Sequence, residues 1–416
     1  MDRRNFIRVA GGTVLAGGVM GHMPGLAAMS RRPAAVENTL SISGTCDPAF
    51  AVVRQTFEDN FRQRDELGAA VCVYKDGQKV VDLWGGIADR ETGQLWAADT
   101  IVCMMSVGKS MAALSVLMLV DRGVIDLEAP VARYWPEFGQ AGKEAITVRT
   151  LLTGKAAVLY ADQAPDGSAY DWDTLIEALE KQEPAWEPGT RGAYHSMSMG
   201  VLLGELVHRA DGRMIDVFFA EEVAGPLGAD YRFGLTDEDI ARVSDIVRNE
   251  GSTTLNQIAD PTTKLGRAWR VVPNAADRYN RDDFRRAVFP SSNGHGNARA
   301  IARIYAALAG GGAVDDVRLV SPETVEIART ESWNGTCGMT GRDFRYGHGF
   351  FMHRPPLLPF GVSDRAFGHP GAGGAIGFAD PEAGIAFSYS PNFMTDGAGV
   401  GDRCNALIDA TFSTRT

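Results

Sequence analysis

CMMSVGKSMAALSVLMLVDRG, running from Cys103 to Gly123, is apolar from Met111 to Val120 with only Ser115 interrupting. A segment apolar on all sides predicts a helix buried on every face. Gly123 supplies a natural stop just past its last turn. Ser106 and Lys109 stand at its start, three residues apart and so on one helical face. No other serine in the chain is followed three positions later by a lysine. A hydroxyl beside an amine, carried on an immobile helix, is one way to present a nucleophilic serine. The same spacing also suits a plain helix start with a solvated lysine, so its meaning depends on what faces it.

Working outward, Pro48 to Leu67 carries Phe50, Val53, Phe57 and Phe61 on one helical stripe. Ala69 to Tyr74 and Lys79 to Trp84 read as strands around Lys75-Asp76-Gly77-Gln78, where Asp-Gly predicts a tight hairpin. A polar loop from Asp89 to Thr100 leads to the serine helix. Downstream, Val148 to Leu152, Asp173 to Lys181, Met197 to Arg209 and Met214 to Val223 read as helices. The charged stretch 235–290 is expected to form loops and short helices over a cleft. Asn297 caps a further helix to Leu308, closed by Gly310-Gly311-Gly312. Gly374 to Ala379 and Gly384 to Ser390 return to β around Asp380-Pro381-Glu382-Ala383, and Val400 to Phe412 forms a last amphipathic helix. The expected architecture is an α/β (α+β) fold. An antiparallel sheet drawn from residues 46–104 and 330–416 is flanked by N- and C-terminal helices, and a mainly helical region, 105–329, is inserted between its halves.

With 416 residues and 45% hydrophobic content, the chain can bury a large core. A formal charge of −11 argues against a nucleic-acid partner. Asp2-Arg3-Arg4-Asn5-Phe6-Ile7-Arg8, the mild apolar run Val9 to Met20 and the small residues Gly25 and Ala27 read as a twin-arginine signal peptide over 1–27. The run is too short to span a bilayer of about 30 Å. A periplasmic or secreted location is therefore expected, with a linker over 28–45. The five cysteines are odd in number, without metal-ligand spacing, and suit a protein that does not rely on disulfides. Cys103 lacks a neighbouring base and is not expected to react.

A serine attacking a carbonyl needs a base for its proton and donors for the oxyanion. Lys109 could be that base if burial lowers its pKa, or could stay charged and depress a nearby tyrosine. Two stretches could face the serine: Tyr194-His195-Ser196 before a helix, and Gly368-His369-Pro370-Gly371-Ala372-Gly373-Gly374 before a strand. Taken singly, they also read as a packing tyrosine and a turn. His295 and His348, in Gly-rich loops, are expected to be satisfied loop histidines, and His195 to point away from Tyr194. No phosphate, dinucleotide or metal pattern is present, so neither cofactor nor metal is expected.

In this order and spacing, the three elements resemble the serine β-lactamase and penicillin-binding superfamily, and within it the family VIII carboxylesterases. VYKDGQKVVDLWGG (73–86), EPGTRGAYHSMSMGVLLGEL (187–206), PSSNGHGNARAIARIYAALAGGG (290–312) and FGHPGAGGAIGFADPEAGIAFSY (367–389) carry the resemblance, which covers about residues 48–412. It implies Ser106 as nucleophile and Lys109 as its partner, and it puts the Y-x-N/S motif on Tyr194 and Ser196, with Tyr194 as general base and later acid. It puts the K-T-G strand motif on His369, Pro370 and Gly371, with Ser196, His369 and Gly371 against the substrate. The implied oxyanion hole is the backbone N–H groups of Ser106 and Ala372. Which of Lys109 and Tyr194 takes the first proton stays open.

Two departures stand out. His369 replaces the lysine of the strand motif and is mostly neutral at pH 7, which favours uncharged esters over anionic lactams. In Leu151-Leu152-Thr153-Gly154-Lys155-Ala156-Ala157, relatives carry histidine and glycine where Gly154 and Ala157 stand. The implied activity is hydrolysis of a small-molecule carboxylic ester of short to medium acyl length through an acyl-enzyme. Alternatives are β-lactam, D-amino-acid peptide or amide hydrolysis, acyl transfer, and non-catalytic binding of acyl ligands.

Overall fold

A computed structural model describes residues 41–395 and 399–413. The twin-arginine segment expected over 1–27 lies outside the described residues, as do residues 28–40 of the expected linker. The chain begins with β1 (Ile42–Cys46), followed by the hairpin β2 (Gly68–Lys75) and β3 (Gln78–Asp89). The turn between them has φ +49° at Asp76 and +77° at Gly77. Two consecutive left-handed residues match the right-handed twist of a hairpin, which is why Asp-Gly serves here. The sheet resumes near the C-terminus with β4 (Trp333–Thr336), β5 (Asp343–Tyr346), β6 (Phe351–Met352), β7 (Phe367–Pro370), β8 (Ile376–Asp380) and β9 (Ile385–Pro391).

Among the described residues these strands form one antiparallel sheet in the spatial order β1-β3-β2-β9-β8-β7-β6-β5-β4, with Gln94–Leu95 paired to β3. The two halves of the chain meet where β2 runs against β9, Val71 opposite Tyr389 and Val73 opposite Phe387. This is the antiparallel sheet from both chain ends that the sequence predicts. β1 is the exception. Ile42–Cys46 falls largely within the expected linker yet pairs with β3 along its length. Between Ile42 and Cys46 its residues are small, polar and exposed, so this edge strand has no apolar alternation to reveal it.

Five helices matter to the site: α1 (Ala51–Gln63), α2 (Val107–Asp121), α3 (Met199–Asp211), α4 (Ala298–Ala309) and α5 (Gly401–Ser413). The expected stripe of α1 is buried at Phe50, Val53, Phe57 and Phe61, and α1 packs on α5. Neighbouring residues on β8 show the two faces of the sheet. Phe378 stacks on Phe412 of α5 at 6.4 Å. A Cβ on Gly377 would lie 2.3 Å from Ile301 and 2.5 Å from Tyr305 of α4, so glycine there lets α4 lie close to the opposite face. Asn297 caps α4 as predicted, accepting a hydrogen bond from the Ala300 N–H at 2.9 Å.

Helix α2 is buried from Val107 to Leu119, packs along α3 and touches β7. Gly123 follows it with φ +70°. The chain enters α2 from a short strand, Ile101–Cys103, paired with His295–Gly296 on one side and Val243–Ser244 on the other. This small sheet, completed by Tyr231–Arg232, lies within the region read as mainly helical. It fixes the approach to Ser106. No helix among the described residues is long and apolar enough to cross a membrane.

Candidate active site

Ser106 sits at the N-cap of α2, partly exposed, and its side chain makes no capping bond. The turn into it is strained. Met105 has φ +53°, a conformation that costs a bulky side chain about 1–3 kcal/mol and that persists where the surroundings impose it. Those surroundings include the hydrogen bond from the Met104 N–H to the Gly294 carbonyl at 2.8 Å. The hydroxyl is thereby held out into a cleft with about 1040 Å³ of open space, whose wall includes Trp269, Tyr279, Phe344 and Phe351.

Lys109, one turn along α2, is fully buried. Its amine donates to Ser106 Oγ at 3.0 Å and to the Ser291 carbonyl at 2.5 Å. Burial holds its pKa well below that of an ordinary lysine, and the nearby Arg278 guanidinium adds to the effect. The site therefore favours a neutral amine. The Tyr194 ring centroid lies 5.0 Å from the same amine, and its phenol is near enough to Ser106 for the serine hydroxyl to act on its pKa. Desolvation raises the phenol's pKa more than the serine lowers it, so the neutral phenol is favoured. Tyr194 is held by its N–H to Cys337 Sγ at 3.1 Å and by the ring of Phe351, 5.6 Å away.

Ser291 was not singled out in the sequence, although it lies inside a quoted stretch. Two glycines bring its backbone to the lysine. A Cβ on Gly108 of α2 would lie 2.4 Å from the Pro290 carbonyl oxygen, and one on Gly200 of α3 would lie 2.4 Å from the Ser291 nitrogen. The Gly200 N–H also donates to Ser291 Oγ at 2.9 Å. Gly200→Ala should therefore displace the carbonyl that orients Lys109. It is expected to cost about 1–3 kcal/mol in a urea titration and up to about 100-fold in kcat through misplacement.

The other sequence candidates fall into two groups. Gly371 and Ala372 line the cleft beside Ser106. A Cβ on Gly371 would lie 2.6 Å from the Met104 carbonyl oxygen, so glycine lets the end of β7 lie against the approach to the serine. Among the described residues, neither the Ser106 nor the Ala372 N–H donates to a backbone carbonyl in a turn or loop, which leaves both free to face an oxyanion. Ser196 also lines the cleft, with its Oγ accepting from Trp269 Nε1 at 2.9 Å.

His369 lies behind the wall. It is fully buried against Phe351, with Nδ1 at 2.7 Å from the Pro370 carbonyl oxygen. Burial, reinforced by Lys109, lowers its pKa to about 3. The expected neutral charge at pH 7 agrees with this, but direct contact with substrate does not. The cleft is lined instead by Pro370 to Gly373.

His195 points away from the cleft, bonded through Nδ1 to the Ala193 carbonyl at 2.9 Å. His295 and His348 are buried and bonded to Asn293 and Arg149. The Cys103 thiol is buried, donates to the Ser292 carbonyl, and is pushed up to about 11. In the divergent segment, Gly154 has φ +67° and Ala157 φ +57°. Ala157 thus keeps a left-handed backbone where relatives carry the glycine that tolerates it.

Comparison with known proteins gives the family. The β-lactamase family model matches residues 53–409. Esterase/beta-lactamase LipL of Mycobacterium tuberculosis is 34% identical over 377 residues, covering 86% of each chain. The crystal structure of a family VIII carboxylesterase is 36% identical, with a TM-score of 0.83 over 90% of this chain and 100% of that one. A penicillin-binding protein homologue from Caulobacter crescentus is 34% identical, with a TM-score of 0.82 and the same coverage. The protein is thus a member of the β-lactamase family, similar within it to the family VIII carboxylesterases.

Proposed function

We propose that this protein is a serine carboxylesterase acting on small-molecule esters of short to medium acyl length through an acyl-enzyme. The observation that carries this reading is the buried Lys109 amine, bonded to Ser106 Oγ at 3.0 Å beside the Tyr194 phenol in an aromatic-lined cleft. Similarity to a family VIII carboxylesterase supports an ester substrate, and the esterase/beta-lactamase LipL is similar over most of its length.

Because burial favours a neutral amine and a neutral phenol, Lys109 is the base that takes the serine proton. Ser106 Oγ then bonds to the ester carbonyl carbon, and the resulting oxyanion is held by the Ser106 and Ala372 N–H groups. Collapse breaks the bond to the alcohol oxygen, which takes the Tyr194 proton. The phenolate is reprotonated from the Lys109 ammonium. Water repeats the sequence on the acyl-enzyme, giving its proton to the same pair and releasing the acid.

A panel of p-nitrophenyl acetate, p-nitrophenyl butyrate, nitrocefin and a D-Ala-D-Ala peptide tests this reading. The esters are expected to be hydrolysed with kcat/KM at least about 100-fold above the lactam and the peptide, a gap of roughly 2.7 kcal/mol. Faster turnover of nitrocefin or of the peptide would replace the esterase reading with an amide-hydrolase one.

A further inference from the structure

Acidic residues outnumber basic ones in this chain, 52 to 41. The candidate cleft has the opposite balance: among the described residues its wall includes Arg278 and Arg342 and no aspartate or glutamate. Arg278 is buried, at 2% exposure. Its guanidinium stacks 4.2 Å from the Trp269 ring and 4.3 Å from the Tyr279 ring. It donates to Ser292 Oγ at 2.9 Å and to the Ala275 carbonyl, while Nε has no partner. No carboxylate of the described residues pairs with it. A buried cation without a counter-charge is costly, and aromatic faces offset only part of that cost. Arg342 is half-buried on the same wall, and its guanidinium bonds to none of the described residues. Asp396 follows the lining residue Thr395 in the chain and lies outside the described residues.

We infer that the cleft selects esters carrying a carboxylate or similar anionic group a few atoms from the scissile carbonyl, with Arg278 and Arg342 as the groups that recognise it. This rests on the esterase reading and names its substrate class. The loss of lysine at position 369 removes one cation from the strand beside Ser106, and the two arginines restore positive charge on other walls of the same cleft. A guanidinium suits the task, since its planar donors match a carboxylate.

The charge could sit on either side of the ester bond, so the test has two arms, each pairing an anion with its neutral amide isostere. Monoethyl glutarate against ethyl 4-carbamoylbutanoate probes the acyl side, and 4-acetoxybenzoate against 4-acetoxybenzamide probes the alcohol side. In at least one arm the wild type is expected to prefer the anion by about 10-fold or more in kcat/KM. Arg342→Gln, at a half-buried position where folding is readily checked by thermal melting, is expected to cut that preference severalfold. Arg278→Met is expected to cut it further if the variant folds. Turnover of p-nitrophenyl butyrate and of both amides with no anionic preference in either arm would overturn this inference alone. So would a preference that Arg342→Gln leaves intact. Absence of all ester turnover, the butyrate included, would overturn the esterase reading and this inference with it.

Discussion

Ser106→Ala is expected to lower kcat/KM for p-nitrophenyl butyrate by about 10⁵-fold while leaving the thermal melt of the protein nearly unchanged. The magnitude follows from removing the only atom that would form the acyl bond; what remains is the smaller contribution of oxyanion donors and binding. The unchanged melt follows from the structure. The Ser106 side chain caps no helix N–H, and among the described residues its hydroxyl bonds to Lys109, a group assigned to the chemistry. A large loss of stability would instead show that the hydroxyl holds the fold together. Parallel measurement of activity and melting separates the two outcomes.

Lys109→Met should have opposite effects on activity and stability. Activity is expected to fall about 10³- to 10⁴-fold, as for loss of a positioned base. Stability is expected to rise, because a fully buried amine is exchanged for an apolar side chain of similar length. The pH dependence has a definite sign. With the folded pKa held well below 10.5, the unfolded lysine binds more protons than the folded one between those two values. Stability of the wild type therefore rises with pH across that window. The advantage of the methionine variant is largest below the folded pKa and shrinks as pH approaches 10.5. Wild-type kcat/KM should likewise fall on the acid side as Lys109 protonates, and the variant should lack that limb. Denaturant titrations and rate profiles over a common pH range check both.

Much of this was legible in the residues themselves. Helix α2 shows in its unbroken apolar run, the β2–β3 hairpin in Asp76-Gly77, and α4 in its Asn297 cap, because each signal is local. Ser106 and Lys109 were legible for the same reason, one helical turn apart. The features that escaped depend on distant partners. β1 is an edge strand with little apolar surface to bury, and the small sheet around Ile101–Cys103 is built from strands of two or three residues, too short for periodicity to register. Ser291 reaches Lys109 because Gly108 and Gly200, nearly a hundred residues apart, both lack a Cβ where the Pro290–Ser291 backbone passes. The burial of His369 depends on Phe351 packing against it, which the strand motif alone does not reveal. Arg278 lies in a stretch with no readable pattern. Its lack of a carboxylate partner among the described residues emerges only when the aromatic rings and carbonyls around it are placed.

The central claim is that the Lys109–Ser106–Tyr194 cluster forms a covalent acyl intermediate on the serine. Acid quenching during turnover of p-nitrophenyl butyrate, followed by peptide mapping by mass spectrometry, tests it most directly. A butyryl group on Ser106, absent from the Ser106→Ala protein, is the expected result. A butyryl group on any other residue, or steady ester turnover with no acylated peptide, would contradict it.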